Sequence, residues 1–296
     1  MPERDGYIPG VPCWVDTSQP DPDAAVGFYG DLFGWELEDV MPEGSEAKYF
    51  MARIGGKDVA AIGSIPEAAP PMAMWNTYIW TDSADESTSK VKDAGGSALM
   101  EPFDVMDSGR MSFVADPEGA AFGLWQANQH KGSQLVNEHG TVNFNTLNTR
   151  DVDGAKSFYA AVFGWTTLGL PGGVEMWTLP GYGDHLERDN PDLRKNMAEM
   201  GGPPGFEDVV ASIVPLGDDQ PDTPPHWGVT FGVDDADAIA EKASELGGKV
   251  IVPPMDAPWV RMTVIADPQG ATFTASQFVL ENRDLQPQAD AAAGSS

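Results

Sequence analysis

Ala25, Phe28, Tyr29 and Leu32 are spaced three and four residues apart, which places them on one face of a helix. Asp21 before them is a good N-cap, Pro22 suits the first helical position, and Gly34 ends the run. Around this helix the pattern reads as strands. Residues 11–17 form a first strand, and 49–54 and 59–65 form two more about the turn Gly55-Gly56-Lys57-Asp58. A Pro- and Ala-rich connector (66–72) follows, and the order then starts again. Residues 75–81 read as a strand, 84–94 as a helix closed by Gly95-Gly96, and 98–101, 110–115 and 120–126 as strands. The first half is thus two βαβββ-like units, followed by a polar link over 127–140.

The plan repeats. Phe28-Tyr29 returns as Phe158-Tyr159, and Phe33-Gly34-Trp35 as Phe163-Gly164-Trp165. Asp116-Pro117-Glu118-Gly119-Ala120 returns as Asp267-Pro268-Gln269-Gly270-Ala271. Two landmarks recurring in the same order mean one domain built twice. The expected organisation is a first domain over 1–130, a linker over 131–140 and a second domain over 141–280. A polar tail over 281–296 is expected to be disordered. The second half carries extra residues near 182–206, where Leu193, Met197 and Met200 stand at helical spacing. Such a helix could be a lid over a cavity mouth, a surface elaboration or a dimer contact.

Composition narrows the function classes. The chain has 296 residues, 41% of them hydrophobic, and a formal charge of −29 from 46 acidic and 17 basic residues. That balance argues against nucleic acid, whose binding needs clustered Lys and Arg. Solubility is its plainest meaning, although a negative field also steers cations. No apolar run is long enough for a membrane helix, and the N-terminus lacks a signal-peptide pattern, so a cytoplasmic setting is expected. The single Cys13 excludes an intramolecular disulfide and any multi-cysteine metal site.

The ordered set of a strand, Asp…Phe-Tyr…Phe-Gly-Trp, a strand closing in Asp before a helix, and Asp-Pro-x-Gly-Ala resembles the glyoxalase / bleomycin-resistance / extradiol-dioxygenase superfamily, or vicinal oxygen chelate superfamily. The likeness covers residues 11–126 and 141–278. Gly109-Arg110-Met111-Ser112-Phe113 and Gly123-Leu124-Trp125-Gln126 bring it nearest to an actinobacterial tandem subfamily. The resemblance implies an α+β fold of two tandem vicinal-oxygen-chelate domains. Each would be an open, curved sheet with helices outside and a concave face as the site. It also implies metal ligands on that face, at positions that here hold Trp14, Asn76 and Gly123 in the first domain and Phe144, Gly228 and Thr274 in the second. The strands 59–64 and 209–214 add no His or carboxylate. These are poor ligands for a divalent metal, so no metal and no cofactor are expected.

Alternation along strands then gives the lining of each cup. In the first, Trp14, Asp16, Asn76, Tyr78, Trp80 and Trp125 make an aromatic face suited to a flat ligand or to packing. In the second, Phe144, Thr146, Gly228, Thr230 and Thr274 make a smaller-lined, hydroxyl-rich face, with His226 its one candidate acid–base and Trp177, Trp227 and Trp259 nearby. Arg110 and Arg261, retained before each Asp-Pro-x-Gly, fit structural ion pairs better than a ligand carboxylate. The expected function is a metal-independent protein, monomer or homodimer, that binds an aromatic or carbonyl metabolite. It would act by sequestration or as a metal-free lyase, isomerase or hydrolase. The alternative is a metal-dependent glyoxalase, lyase, hydroxylase or dioxygenase.

Overall fold

A computed structural model describes residues 3–285 apart from 68, 70, 171 and 172. The first half runs β1 (Pro12–Gln19), α1 (Pro22–Phe33), β2 (Glu36–Asp39), β3 (Tyr49–Ile54), β4 (Lys57–Ser64), β5 (Met74–Trp80), α2 (Ala84–Asp93), β6 (Ser97–Val105), β7 (Gly109–Ala115) and β8 (Ala121–Ala127). The second runs β9 (Val142–Thr149), α3 (Val152–Phe163), β10 (Thr166–Gly169), β11 (Glu175–Thr178), α4 (Tyr182–Leu186), α5 (Leu193–Met200), β12 (Val209–Pro215), β13 (His226–Gly232), α6 (Ala236–Glu245), β14 (Lys249–Ala257), β15 (Val260–Ala266) and β16 (Thr272–Phe278). The first eight-stranded sheet has the order β2-β3-β4-β1-β5-β8-β7-β6, and the second repeats it as β10-β11-β12-β9-β13-β16-β15-β14.

The repeated helices form for the reasons their sequences give. Asp21 accepts from the Ala24 amide at 3.0 Å and Asp151 from the Gly154 amide at 2.9 Å, which satisfies one orphan donor at each N-terminus. Gly34 and Gly164 close the helices with φ of 71° and 73°. The short edge strands β2 and β10 carry no strong alternation and are additions to the pattern read from sequence. The expected disorder beyond 281 needs correcting at its start. Leu280–Asp284 forms a 3-10 turn in which Asn282 donates to the Asp256 carboxylate and the Val260 carbonyl, each at 3.0 Å. Residues 286–296 lie outside the described residues.

The two sheets meet back to back. Phe28, Tyr29 and Trp75 of the first half pack with Phe231, Ile239 and Phe273 of the second, while Phe122 and Leu124 pack with Tyr159, Trp165 and Trp227. Hydrogen bonds cross the same boundary in matching pairs. Tyr29 donates to Asp267 and accepts from Trp75, at 2.9 and 3.1 Å. Tyr159 donates to Asp116 and accepts from Trp227, at 3.2 and 3.0 Å. Trp35 and Trp165 donate to the carbonyls of Gly140 and Gly10, both at 2.8 Å. The Phe-Tyr and Asp-Pro-x-Gly motifs therefore meet, each with the copy from the other half. This arrangement turns both concave faces outward. Among the described residues no helix is long and apolar enough to cross a membrane.

Candidate functional site

Strand register places equivalent side chains on the two concave faces. In the first sheet Met51, Ala61, Asp16 and Asn76 form one row. Trp14, Tyr78, Gly123 and Phe113 form the next, and Trp80, Trp125 and Met111 the third. In the second sheet the rows are Met176, Ser212, Thr146 and Gly228, then Phe144, Thr230, Thr274 and Val264, then Gly232, Ser276 and Met262. Position by position, Asn76, Tyr78, Trp80 and Trp125 are matched by Gly228, Thr230, Gly232 and Ser276.

That exchange decides which face is open. Trp14, Asp16, Asn76, Tyr78 and Trp125 are buried, and Trp80 is half-buried. Asp16 accepts from Asn76 at 2.8 Å, Tyr78 at 2.9 Å and Tyr49 at 3.1 Å, and Trp14 donates to Tyr49 at 3.2 Å. Burial pushes the Asp16 carboxyl up from its ordinary value, and these donors oppose the shift. The Tyr78 ring lies where a Cβ on Gly123 would be, so this position needs glycine. The stretch after β8 straps over the face. His130 packs edge-on against Trp14 at 4.3 Å and near Trp125 at 5.6 Å, and the Ser133 amide bonds the Cys13 carbonyl. The expected first-cup residues are therefore brought together, under cover and bonded to one another.

The second face holds a cavity of about 1860 Å³. Phe144, Thr146, Gly228, Thr230, Thr274 and Ser276 line it with Ser212, Met176, Met262 and Val264. Thr146 and Ser212 bond each other at 2.7 Å, whereas Thr230, Thr274 and Ser276 have no side-chain hydrogen bond among the described residues. His226 stands at the start of β13 on the cavity's edge. Its Nδ1 lies 2.9 Å from the Pro224 carbonyl, which can only accept, so Nδ1 carries the proton. In the neutral ring Nε2 is then an acceptor, and it has no partner among the described residues. Of the three tryptophans expected nearby, only Trp259 lines the cavity. Trp177 and Trp227 are corrected to the interdomain core, because each follows or precedes a cup-facing residue and so faces the other way.

Sequence reasoning reached the strand-borne lining, offered Trp259 as one of three nearby walls and the helix of Met197 and Met200 as a lid among three readings, and missed Phe206; for these residues it left the alternatives open. These come from a turn and from the inserted segment, where no period-two alternation reports a face. Arg110 and Arg261 make the structural pairs expected of them. Arg110 bonds Asp85 and Asp104, and Arg261 bonds Asp237 and Asp256, all outside the cups.

The model of the Glyoxalase/Bleomycin resistance protein/Dioxygenase superfamily matches residues 14–124 and again 141–274. The chain belongs to this superfamily. It is 43% identical over 280 residues to "Putative glyoxylase CFP32" of Mycobacterium tuberculosis, covering 93% of this chain and 97% of that protein. It is 34% identical over 298 residues to "Anthracycline biosynthesis protein DauV" of Streptomyces sp., covering 96% and 97%. Among solved structures, a Mn(II)-bound glyoxalase from Novosphingobium aromaticivorans matches with a TM-score of 0.57 at 16% identity, over 91% of this chain and 83% of that one. The 2,3-dioxygenase LapB from Pseudomonas sp. KL28 matches with 0.57 at 12%, over 92% and 93%. These two likenesses show the fold.

The superfamily implies a divalent metal on a concave face, and neither donor set here fits one. Both Asp16 oxygens are taken by neutral donors, and its row neighbours are Ala61 and Asn76. The second face offers neutral hydroxyls beside Phe144 and Gly228. Among the described residues no three His, Cys, Asp or Glu side chains converge.

Proposed function

We propose that this protein binds an aromatic, carbonyl-bearing small molecule in the second cup and does so without a protein-held metal. The observation that carries the reading is the exchange of Asn76, Tyr78, Trp80 and Trp125 for Gly228, Thr230, Gly232 and Ser276, with the cavity that accompanies it. At about 1860 Å³ including its open mouth, the cavity exceeds the usual range for one drug-sized ligand of roughly 300–1,000 Å³. A multi-ring compound suits it better than a one-ring or three-carbon one. The similarity to a protein of anthracycline biosynthesis supports the same ligand class. A cytoplasmic protein, monomeric or homodimeric, accords with this role.

Calorimetry with an anthracycline as probe tests the reading. One site per chain is expected, and Ser276→Trp, which restores the bulk present at Trp125, should abolish binding while the protein stays folded. Saturable binding untouched by Ser276→Trp would place the site elsewhere. Elemental analysis of protein purified without chelator should find no stoichiometric metal. One tightly held metal per chain, lost together with activity, would instead favour a metal-dependent glyoxalase or dioxygenase.

The fixed tautomer of His226 favours a second reading, a metal-free enzyme with this imidazole as general base through Nε2. Acid–base groups commonly contribute about 100- to 10,000-fold. With a substrate in hand, His226→Gln should lower turnover by about that factor with little change in binding. Normal turnover in the folded variant would leave sequestration as the function.

A further inference from the structure

Trp259 occupies the turn between β14 and β15 with φ of +71°, a backbone state that bulky L-residues rarely adopt and that tends to mark functional sites. Its ring stacks near Phe278 at 6.3 Å and 22°. It also reaches the inserted segment, where a Cβ on Gly201, the residue that ends α5, would stand 3.6 Å from the indole. The opposite end of α5 is anchored. Arg194 is held by Asp184, Glu187 and Glu207, while Met197 and Met200 line the cavity and no α5 side chain is buried. The matching turn of the first half carries Met106, 59% exposed. A tryptophan is thus found in the half that has both the open cup and the inserted helix.

The charges of the cavity sit at its mouth. Glu138 is exposed, Asp234, Arg283 and Asp284 have side chains 88%, 50% and 85% exposed, and the floor carries the unpartnered hydroxyls of Thr230, Thr274 and Ser276. An ionic group taken to that floor would lie unpaired, at high cost. A carbonyl or hydroxyl oxygen would find donors and acceptors there.

Resting on the second-cup reading above, we infer that Trp259 is the specificity-determining anchor of the site. It stacks on a planar, uncharged ring system, with Met197 and Met200 of α5 as the opposing wall. The ring oxygens face Thr230, Thr274 and Ser276, and any charged substituent stays at the mouth. Thioether and indole surfaces are adaptable and rigid partners respectively, and stacked aromatic anchors commonly dominate a binding site.

The test titrates an anthracycline into wild type, Trp259→Phe and Trp259→Gly, with thermal melting of each. Glycine is the residue best suited to this backbone, so Tm should hold while affinity falls about thirtyfold. Phenylalanine should stay within about threefold of wild type, since its ring still stacks. Should the glycine variant melt early, Trp259→Leu repeats the measurement with an apolar, non-stacking side chain. Unchanged affinity in Trp259→Gly or Trp259→Leu, with Ser276→Trp still abolishing binding, overturns the anchor and leaves the second-cup reading standing. No binding by wild type overturns that reading and the anchor with it.

Discussion

Each cup is decided by a few side chains at matched positions. Trp125 fills its row against Met111 and Trp80, and its indole donates to the His130 carbonyl at 3.1 Å. Replacing a buried tryptophan by alanine costs both its transfer free energy and the cavity left behind. Trp125→Ala should therefore destabilise the protein by about 3–5 kcal/mol in urea denaturation. A loss under about 1 kcal/mol would show that the first cup is loosely filled rather than packed. Which residues share each concave face was legible, because alternation along β1, β5, β8, β9, β13 and β16 reports it directly. Whether the first face was a site or a packed layer was not. A row of aromatics reads the same in sequence either way, and only the hydrogen bonds onto Asp16 and the ring of His130 distinguish the two.

The element that closes the first cup is the stretch following β8, which its polarity marks as a linker. Its residues are polar because their partners are backbone groups. Ser133 bonds the Cys13 and Val59 carbonyls, Gln134 accepts from the Asp58 amide, and Tyr7 donates to the Ser133 carbonyl. His130 is its pH-sensitive point. Burial pushes the imidazole down to about 4, against the pull of Asp58 at 3.8 Å, and Nε2 is buried without a partner. A depressed histidine value means that the folded state binds the proton less well than the unfolded state. The stability it confers is complete above about 6.5 and is lost as pH falls from there through about 4. Wild type should lose about 3 kcal/mol over that window on this account. In His130→Phe, which keeps the edge-on packing, this part of the slope should vanish. Parallel pH profiles for the two proteins would remove His130 as the cause. The major helices were readable from caps and spacing. The four-residue strands β2 and β10, and α4, were not, because they are too short for a period to show.

At the scale of the molecule the two halves hold each other through repeated motifs. The repeat was plain in the sequence. The crossing of Tyr29 to Asp267 and of Tyr159 to Asp116 was not, since periodicity reports a strand's own face and not which copy lies against it. This interlock predicts how the chain behaves when divided. Fragments 1–134 and 135–296, produced separately, should each self-associate or precipitate, because each exposes one side of both shared cores. Produced together they should assemble one to one, as read by light scattering. A stable, monodisperse monomer of either fragment would show that the interlock is dispensable.

Tyr29 with Asp267, and Tyr159 with Asp116, are the same contact made twice, as two identical subunits would make it around a twofold axis. In such a pair every mutation appears in both subunits, so neither cup can be given up without losing the other. Joining the two copies in one polypeptide removes that constraint. One cup can carry Trp14, Tyr78 and Trp125 and become scaffold, while its counterpart keeps Gly228, Thr230 and Ser276 and remains hollow. Covalent fusion is what permits this division of labour.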